Sequence, residues 1–251
     1  MNKHKPTEAG TVYVGCAGWS IPKPFADRFP GGGSHLERYA GALPAVEINS
    51  SFYRPHRPAT YARWAESVPA GFRFAVKVPK VISHERRLVG VDDLLDRFLA
   101  EATHLGEKLG PLLVQLPPSL AYSPEVAKRF FEAWRSRFEG DVALEPRHPT
   151  WFEPDAERLA ADYRIARVAA DPAVVGAAGE PGGWNGLAYF RLHGTPKMYY
   201  SAYSREYLEA LAAKLSRFPP STRVWCVFDN TALGEATANA LELLARLRRV
   251  G

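Results

Sequence analysis

Val142-Ala-Leu-Glu-Pro-Arg-His148 begins as an apolar run and ends in charge. In an extended strand, successive side chains alternate sides, so Ala143, Glu145 and Arg147 point one way and Val142 and Leu144 the other. Unpaired charges do not stay buried. A carboxylate and a guanidinium on the inner side of one strand end therefore imply partners from other strands. The same design returns at Glu47 and Asn49, Lys77, Gln115, Asp171, Arg191 and His193, and Asp229, each at or just past the end of an apolar run. The chain reads as strands whose polar ends converge on one site.

Working outward from this stretch, the apolar runs predict eight strands: Thr11–Cys16, Ala45–Ser50, Arg73–Pro79, Pro111–Pro117, Asp141–Glu145, Arg164–Asp171, Gly186–Gly194 and Thr222–Asn230. Between and after them, helical spacing of apolar residues predicts seven helices: Ser34–Leu43, Pro58–Val68, Val91–Leu109, Ser123–Phe138, Pro154–Tyr163, Ser204–Phe218 and Gly234–Arg248. Ser34 with Glu37 forms the signature of a capping box. The stretch Pro172–Gly186, rich in Ala, Gly and Pro, predicts no helix. Strands separated by helices imply a parallel sheet. Eight such units make a single-domain α/β fold, a (β/α)8 TIM barrel over 1–251, with an irregular connection between strands 6 and 7. No Gly-x-Gly-x-x-Gly follows a strand, which argues against a dinucleotide site.

The 251 residues match the ~250 of one such barrel. A composition of 46% hydrophobic and 24% charged residues is that of a soluble globular protein. The net charge of +5 permits an anionic partner without demanding one. Two cysteines, Cys16 and Cys226, exclude a disulfide framework and a four-cysteine zinc site, and suggest a cytoplasmic setting. Cys16 lies inside an apolar run and reads as a packed core residue rather than a nucleophile. Met1–Pro6 carries positive charge with no apolar segment behind it, so no signal peptide is expected. No run approaches the ~20 apolar residues of a membrane span.

Barrel enzymes gather their functional residues at the C-terminal strand ends. The reading that fits best is metal-free acid/base chemistry on a small anionic substrate, phosphorylated or carboxylated. Glu145 and Glu47 would exchange protons, with His193 as a second carrier. Lys77, Arg147 and Arg191 would hold the anion. Asn49, Tyr53, Gln115, Asp171, Tyr199, Asp229 and Asn230 complete the expected substrate contacts. No cofactor is required. A divalent-metal hydrolase or nuclease is the alternative, with Glu47, Glu145, Asp171, His193 and Asp229 as ligands. A glycosidase pair of Glu47 and Glu145 is a further chemistry. A non-enzymatic nucleotide or nucleic-acid binder, using the basic loop Lys80–Arg87 and the tyrosines Tyr199, Tyr200 and Tyr203, is less favoured. A purely structural plug of paired charges competes with all of these. It is an expensive way to fill a barrel, because apolar replacements of buried ion pairs often cost nothing. His148 falls on the opposite side of its strand or in the loop. Trp64, Phe130, Phe131 and Trp134 lie at helical spacings and read as packing residues.

Seven motifs occur together and in order: Gly15-Cys-Ala-Gly-Trp19, Glu47-Ile-Asn-Ser-Ser-Phe-Tyr53, Phe74-Ala-Val-Lys77, Gln115-Leu-Pro-Pro118, Glu145-Pro-Arg-His148, Arg191-Leu-His-Gly194 and Phe228-Asp-Asn230. In these the chain resembles the family called domain of unknown function 72, or YecE-like, from about Val12 to Leu247. The resemblance implies a TIM-barrel fold and brings no established reaction. It implies shared positions at Glu47, Asn49, Lys77, Gln115, Glu145, Arg147, Arg191, His193 and Asn230. The family's last motif is Phe-Asn-Asn, so Asp229 departs from it, and a role for its charge is not implied.

Overall fold

A computed structural model of the chain describes residues 12–250. Thr11 and the charged Met1–Pro6 stretch lie outside the described residues. The strands are β1 (Val12–Ala17), β2 (Ala45–Ile48), β3 (Arg73–Lys77), β4 (Leu109–Gln115), β5 (Val142–Glu145), β6 (Ile165–Arg167), β7 (Ala169–Asp171), β8 (Gly182–Gly183), β9 (Leu187–Leu192) and β10 (Arg223–Phe228). They form one sheet in the order β7-β9-β10-β1-β2-β3-β4-β5-β6-β8. Every pairing is parallel except that of β8 with β6.

The two ends of that sheet are almost the same piece of chain. β6 and β7 are the halves of the predicted sixth strand, separated only by Val168. The first half pairs with β5, Leu144 opposite Arg167, and the second with β9, Asp171 opposite Leu192. Val168 N still donates to Leu144 O at 2.9 Å, and His193 N donates to Asp171 O at 2.7 Å. The strand thus changes partners at Val168 and brings the barrel to closure. After it, a short turn at Gly176–Gly179 and the two-residue β8 replace a helix. Glu157 anchors this connection by accepting from Gly183 N at 2.6 Å and by pairing with Arg167.

Helices α1 (His35–Ala40), α2 (Pro58–Glu66), α3 (Asp92–Ala102), α4 (Pro124–Arg135), α5 (Pro154–Asp162), α6 (Arg205–Leu215) and α7 (Glu235–Val250) complete the barrel. The capping box at α1 is formed: Glu37 N donates to Ser34 Oγ, and Ser34 N to Glu37 Oε2. One helix is shorter than its sequence suggests. Apolar spacing carries the third to Leu109, but α3 stops at Ala102. A short 3-10 segment follows, and within it Gly106 takes φ 57°, which ends helical hydrogen bonding.

The barrel interior follows from residue size. Ala45, Ala75, Ala143 and Ala166 are small, which leaves the lumen to Tyr189 and Trp225 from the opposite side. Those rings stack at 6.1 Å, and Tyr13 stacks on Trp225 at 5.0 Å. Cys16 and Cys226 point outward into the helix layer and are fully buried. Burial pushes the Cys16 thiol up to about 12, the state of an inert packing residue. Phe130, Phe131 and Trp134 are buried on α4. Among the described residues no helix is long and apolar enough to cross a membrane.

Candidate functional site at the barrel mouth

Alternation along the strands places Glu47, Lys77, Gln115, Glu145 and Arg191 on the inner side at the C-terminal end, with His193 and Asp229 just beyond. Arg191 is the centre of this group and is fully buried. Its Nη2 donates to Glu47 Oε1 at 2.7 Å, its Nη1 to Glu145 Oε2 at 3.1 Å, and Nη2 also lies 3.0 Å from Asp229 Oδ2. Three carboxylates from three strands thus close on one guanidinium. Tyr189 adds a hydroxyl, donating to Glu47 Oε2 at 2.8 Å.

Glu145 is as thoroughly engaged. Its Oε2 also accepts from Gln115 Nε2 at 2.9 Å. Its Oε1 lies 2.7 Å from Arg147 Nη2 and 2.8 Å from His193 Nε2. Burial alone would raise its carboxyl; Arg191, His193 and Arg147 outweigh this and hold it well below the usual range. Asp229, likewise buried, is lowered chiefly by Arg191 and His193.

His193 joins these carboxylates, with Nδ1 3.0 Å from Asp229 Oδ2 and Nε2 facing Glu145. An imidazolium donates at both nitrogens, a neutral ring at only one. Arg147 Nη2 lies 2.9 Å from the same Nε2. When that nitrogen carries a proton, ring and guanidinium both donate to Glu145; when it is bare, Arg147 can donate to the ring. The triad has two proton arrangements built from the same atoms. Tyr199 packs edge-on against the ring at 5.8 Å and shields it.

Lys77 differs from its neighbours. It is 6% exposed, yet no carboxylate among the described residues lies within ion-pairing distance. Its Nζ instead sits 4.2 Å over the ring of Phe52. Burial and then the charge of Arg191 lower its pKa from 10.5 to about 8, against the pull of Glu47, Glu145 and Asp229. Two buried polar atoms of the same motifs, Asn49 Oδ1 and Arg147 Nε, have no hydrogen-bond partner among the described residues.

These contacts correct several expected roles. Glu145 and Glu47 are fully buried and bonded at both oxygens, so neither presents a free carboxyl to a substrate. Arg191 spends its guanidinium on them and is not available to an incoming anion. Asp171 lies on the outer side of its strand, where it accepts from Tyr203 at 2.6 Å and Thr195 at 2.8 Å. Asn230 ties down a loop, donating to Ser201 O and Asn239 Oδ1. Tyr53 is exposed on the rim beside Phe52. His148 caps a turn through Thr150. Of the three tyrosines expected to form a lid, Tyr203 is buried, Tyr200 is exposed and only Tyr199 meets the site. In the basic loop, Lys80 pairs with Glu85, and Arg87 donates to Ser119. Phe52 and Tyr189 were not among the expected site residues. The parity of Tyr189 with Arg191 could have found it; Phe52 lies in a turn after β2, where alternation carries no information.

A metal at this mouth would have to displace guanidinium or imidazole from each carboxylate. Among the described residues no group of three or more His, Cys, Asp or Glu side chains is arranged to hold an ion.

The family model described as "Protein of unknown function DUF72" matches residues 13–250. The protein YecE of Escherichia coli K12 is 32% identical over 147 residues, 58% of this chain and 52% of YecE. YunF of Bacillus subtilis is 27% identical over 151 residues, 57% of this chain and 53% of YunF. The chain thus spans about half the length of the curated relatives it matches. Among solved structures, a DUF72 family protein of Enterococcus faecalis superimposes with a TM-score of 0.78 at 22% identity, covering 95% of this chain and 96% of that one. One from Thermotoga maritima gives 0.75 at 23%, covering 94% and 99%. At these identities the likeness concerns the fold.

Proposed function

From the premise that the chain belongs to the DUF72 family, whose activity its description leaves open, we propose that the barrel mouth binds a small carboxylated or phosphorylated substrate and acts on it by metal-free acid/base chemistry. One observation carries this reading. Every carboxylate of the mouth is matched to a guanidinium or imidazole, while the Lys77 amine is matched to none. Buried charges are ordinarily paired, and an anionic group on a ligand would supply the missing partner. Arg147, whose side chain keeps 11% exposure at the mouth, is the second contact to the anion. Proton transfer then falls to Lys77 and His193. A group that titrates near neutral pH can both hold and release a proton, and Lys77 at about 8 is such a group. Glu145 and Asp229 act as positioning residues that fix the imidazole of His193.

The test is a titration with inorganic phosphate and small carboxylates, followed by calorimetry and thermal shift at pH 7. Saturable binding is expected, weakened at least tenfold in Lys77→Met and Arg147→Met and unaffected by a chelator. Equal binding by the variants would overturn the assignment. Binding lost to chelator and restored by a divalent ion would favour the metal-dependent alternative.

A further inference from the structure

An anionic ligand would give Lys77 its missing partner, but it leaves the placement of this amine unexplained. An ammonium meant only to attract negative charge works best where its charged form is stabilised. Lys77 is placed against that: desolvated, seated on an aromatic face, beside the fully charged Arg191, and without a carboxylate of its own. Desolvation and a neighbouring cation are the two devices that turn a lysine into a neutral nucleophile. The lowered pKa agrees with this. At pH 7 an amine titrating at about 8 is neutral about three hundred times more often than one at 10.5.

We propose that Lys77 is the nucleophile of the site and condenses with the carbonyl carbon of a small oxo acid to form an imine. This rests on the anion-binding reading, because Arg147 is the group that would hold the acid and aim its carbonyl at Nζ. The nitrogen lone pair forms the C–N bond as the C=O π pair moves to oxygen. Nitrogen gives up a proton and oxygen gains one, leaving a carbinolamine. The nitrogen lone pair then forms the C=N bond as the C–O bond breaks; nitrogen gives up its second proton, and oxygen gains one and departs as water. The sum is amine plus carbonyl giving imine plus water, with no oxidant or reductant. The protonated imine carries one further proton from solvent and draws electrons from the adjacent carbon. The substrate class is therefore an oxo acid that undergoes proton loss, or carbon–carbon bond making or breaking, next to its carbonyl.

The experiment is reductive trapping of the full chain with glyoxylate and cyanoborohydride at pH 7, followed by intact-mass measurement and peptide mapping. The hydride converts the imine to a secondary amine, leaving one carboxymethyl group on the lysine. The expected result is a single addition mapping to Lys77, formed at least tenfold faster than at exposed lysines such as Lys128 and slowed in Arg147→Met. Mapping is done on the unsubstituted protein, so the result does not depend on Lys77→Met folding. Labelling spread over surface lysines with Lys77 spared would overturn the inference. If phosphate and carboxylates still bind through Arg147 in that case, the anion site stands and the nucleophile falls. If they do not bind either, both readings fall.

Discussion

Replacing Arg191 with Met removes the one guanidinium on which Glu47, Glu145 and Asp229 converge at 2.7, 3.1 and 3.0 Å. The methionine fills most of the space, so the cost is chiefly electrostatic. Removing one partner of a buried ion pair costs about 3–5 kcal/mol. Glu145 keeps Arg147 and His193 and Asp229 keeps His193, so Glu47 is the carboxylate left without a paired cation, and the figure for one pair applies. For a chain of this size each kcal/mol moves the melting temperature by roughly 2–4 °C, so the variant should melt about 6–20 °C lower. The pH dependence makes the test sharper. With Arg191 present, Glu145 and Asp229 have lowered pKa values. They contribute stability above their unfolded values near 4, which is lost as pH falls. Without Arg191 these carboxyls lose their largest lowering influence while burial remains, so both move up. The stability that their lowered state contributes above about pH 4 shrinks accordingly. The deficit should therefore be largest at pH 7–8 and diminish as pH falls through about 4. Thermal melts by circular dichroism across that range measure it. A drop below about 2 °C, or a deficit that does not change with pH, would refute the account of Arg191 as the shared partner.

Lys77→Met should do the opposite. A lysine lowered from 10.5 to about 8 opposes folding by roughly 3 kcal/mol below pH 8. Between those values the unfolded chain binds more protons, so the unsubstituted protein gains stability as pH climbs from 8 to 10.5. The variant should melt higher at pH 7 and lose that advantage by pH 10; a difference independent of pH would count against a buried, strained lysine. Tyr203→Phe removes the hydroxyl that donates to Asp171 Oδ2 and accepts from Gly194 N. It should cost about 1–3 kcal/mol and speed amide exchange across 195–203, the segment that seats Tyr199 on His193. Unchanged exchange there would show that the loop is held by other contacts.

The mouth was legible because alternation is a geometric rule. Glu145 with Arg147, and Arg191 with His193, could be set on one side of their strands from spacing alone. Depth was not legible. Nothing in the order of residues tells that Arg191 would be sealed by three carboxylates while Lys77 is left without one, because that depends on side-chain length across the lumen. For this reason the burial of Glu47 and Glu145, expected as the acid/base pair, could not be read from spacing. Asp171 was misplaced by a different cause. It ends an apolar run like the others, but Ala166, Val168 and Ala170 hold the inner positions, so Asp171 falls on the outer side, with Ala170 opposite Arg191. Asn230 and Tyr203 are bound through loops, where no period exists to read. The irregular connection after strand six was visible in its Ala, Gly and Pro content, though the antiparallel β8 within it was not.

That small strand has a consequence for how the molecule treats other copies of itself. A closed barrel exposes no strand edge, and exposed edges are where chains add to one another and aggregate. The partner change at Val168 reopens the edge of β6 for a few residues. Gly182–Gly183 lies along it in antiparallel register, opposite Arg167 and Ala166, and occupies the hydrogen bonds a foreign strand would seek. A Cβ at Gly183 would meet the Ile165 carbonyl, so glycine there lets the backbone come close enough to do this. The two glycines work as a selvedge, keeping this seam of the sheet from being stitched to a neighbour.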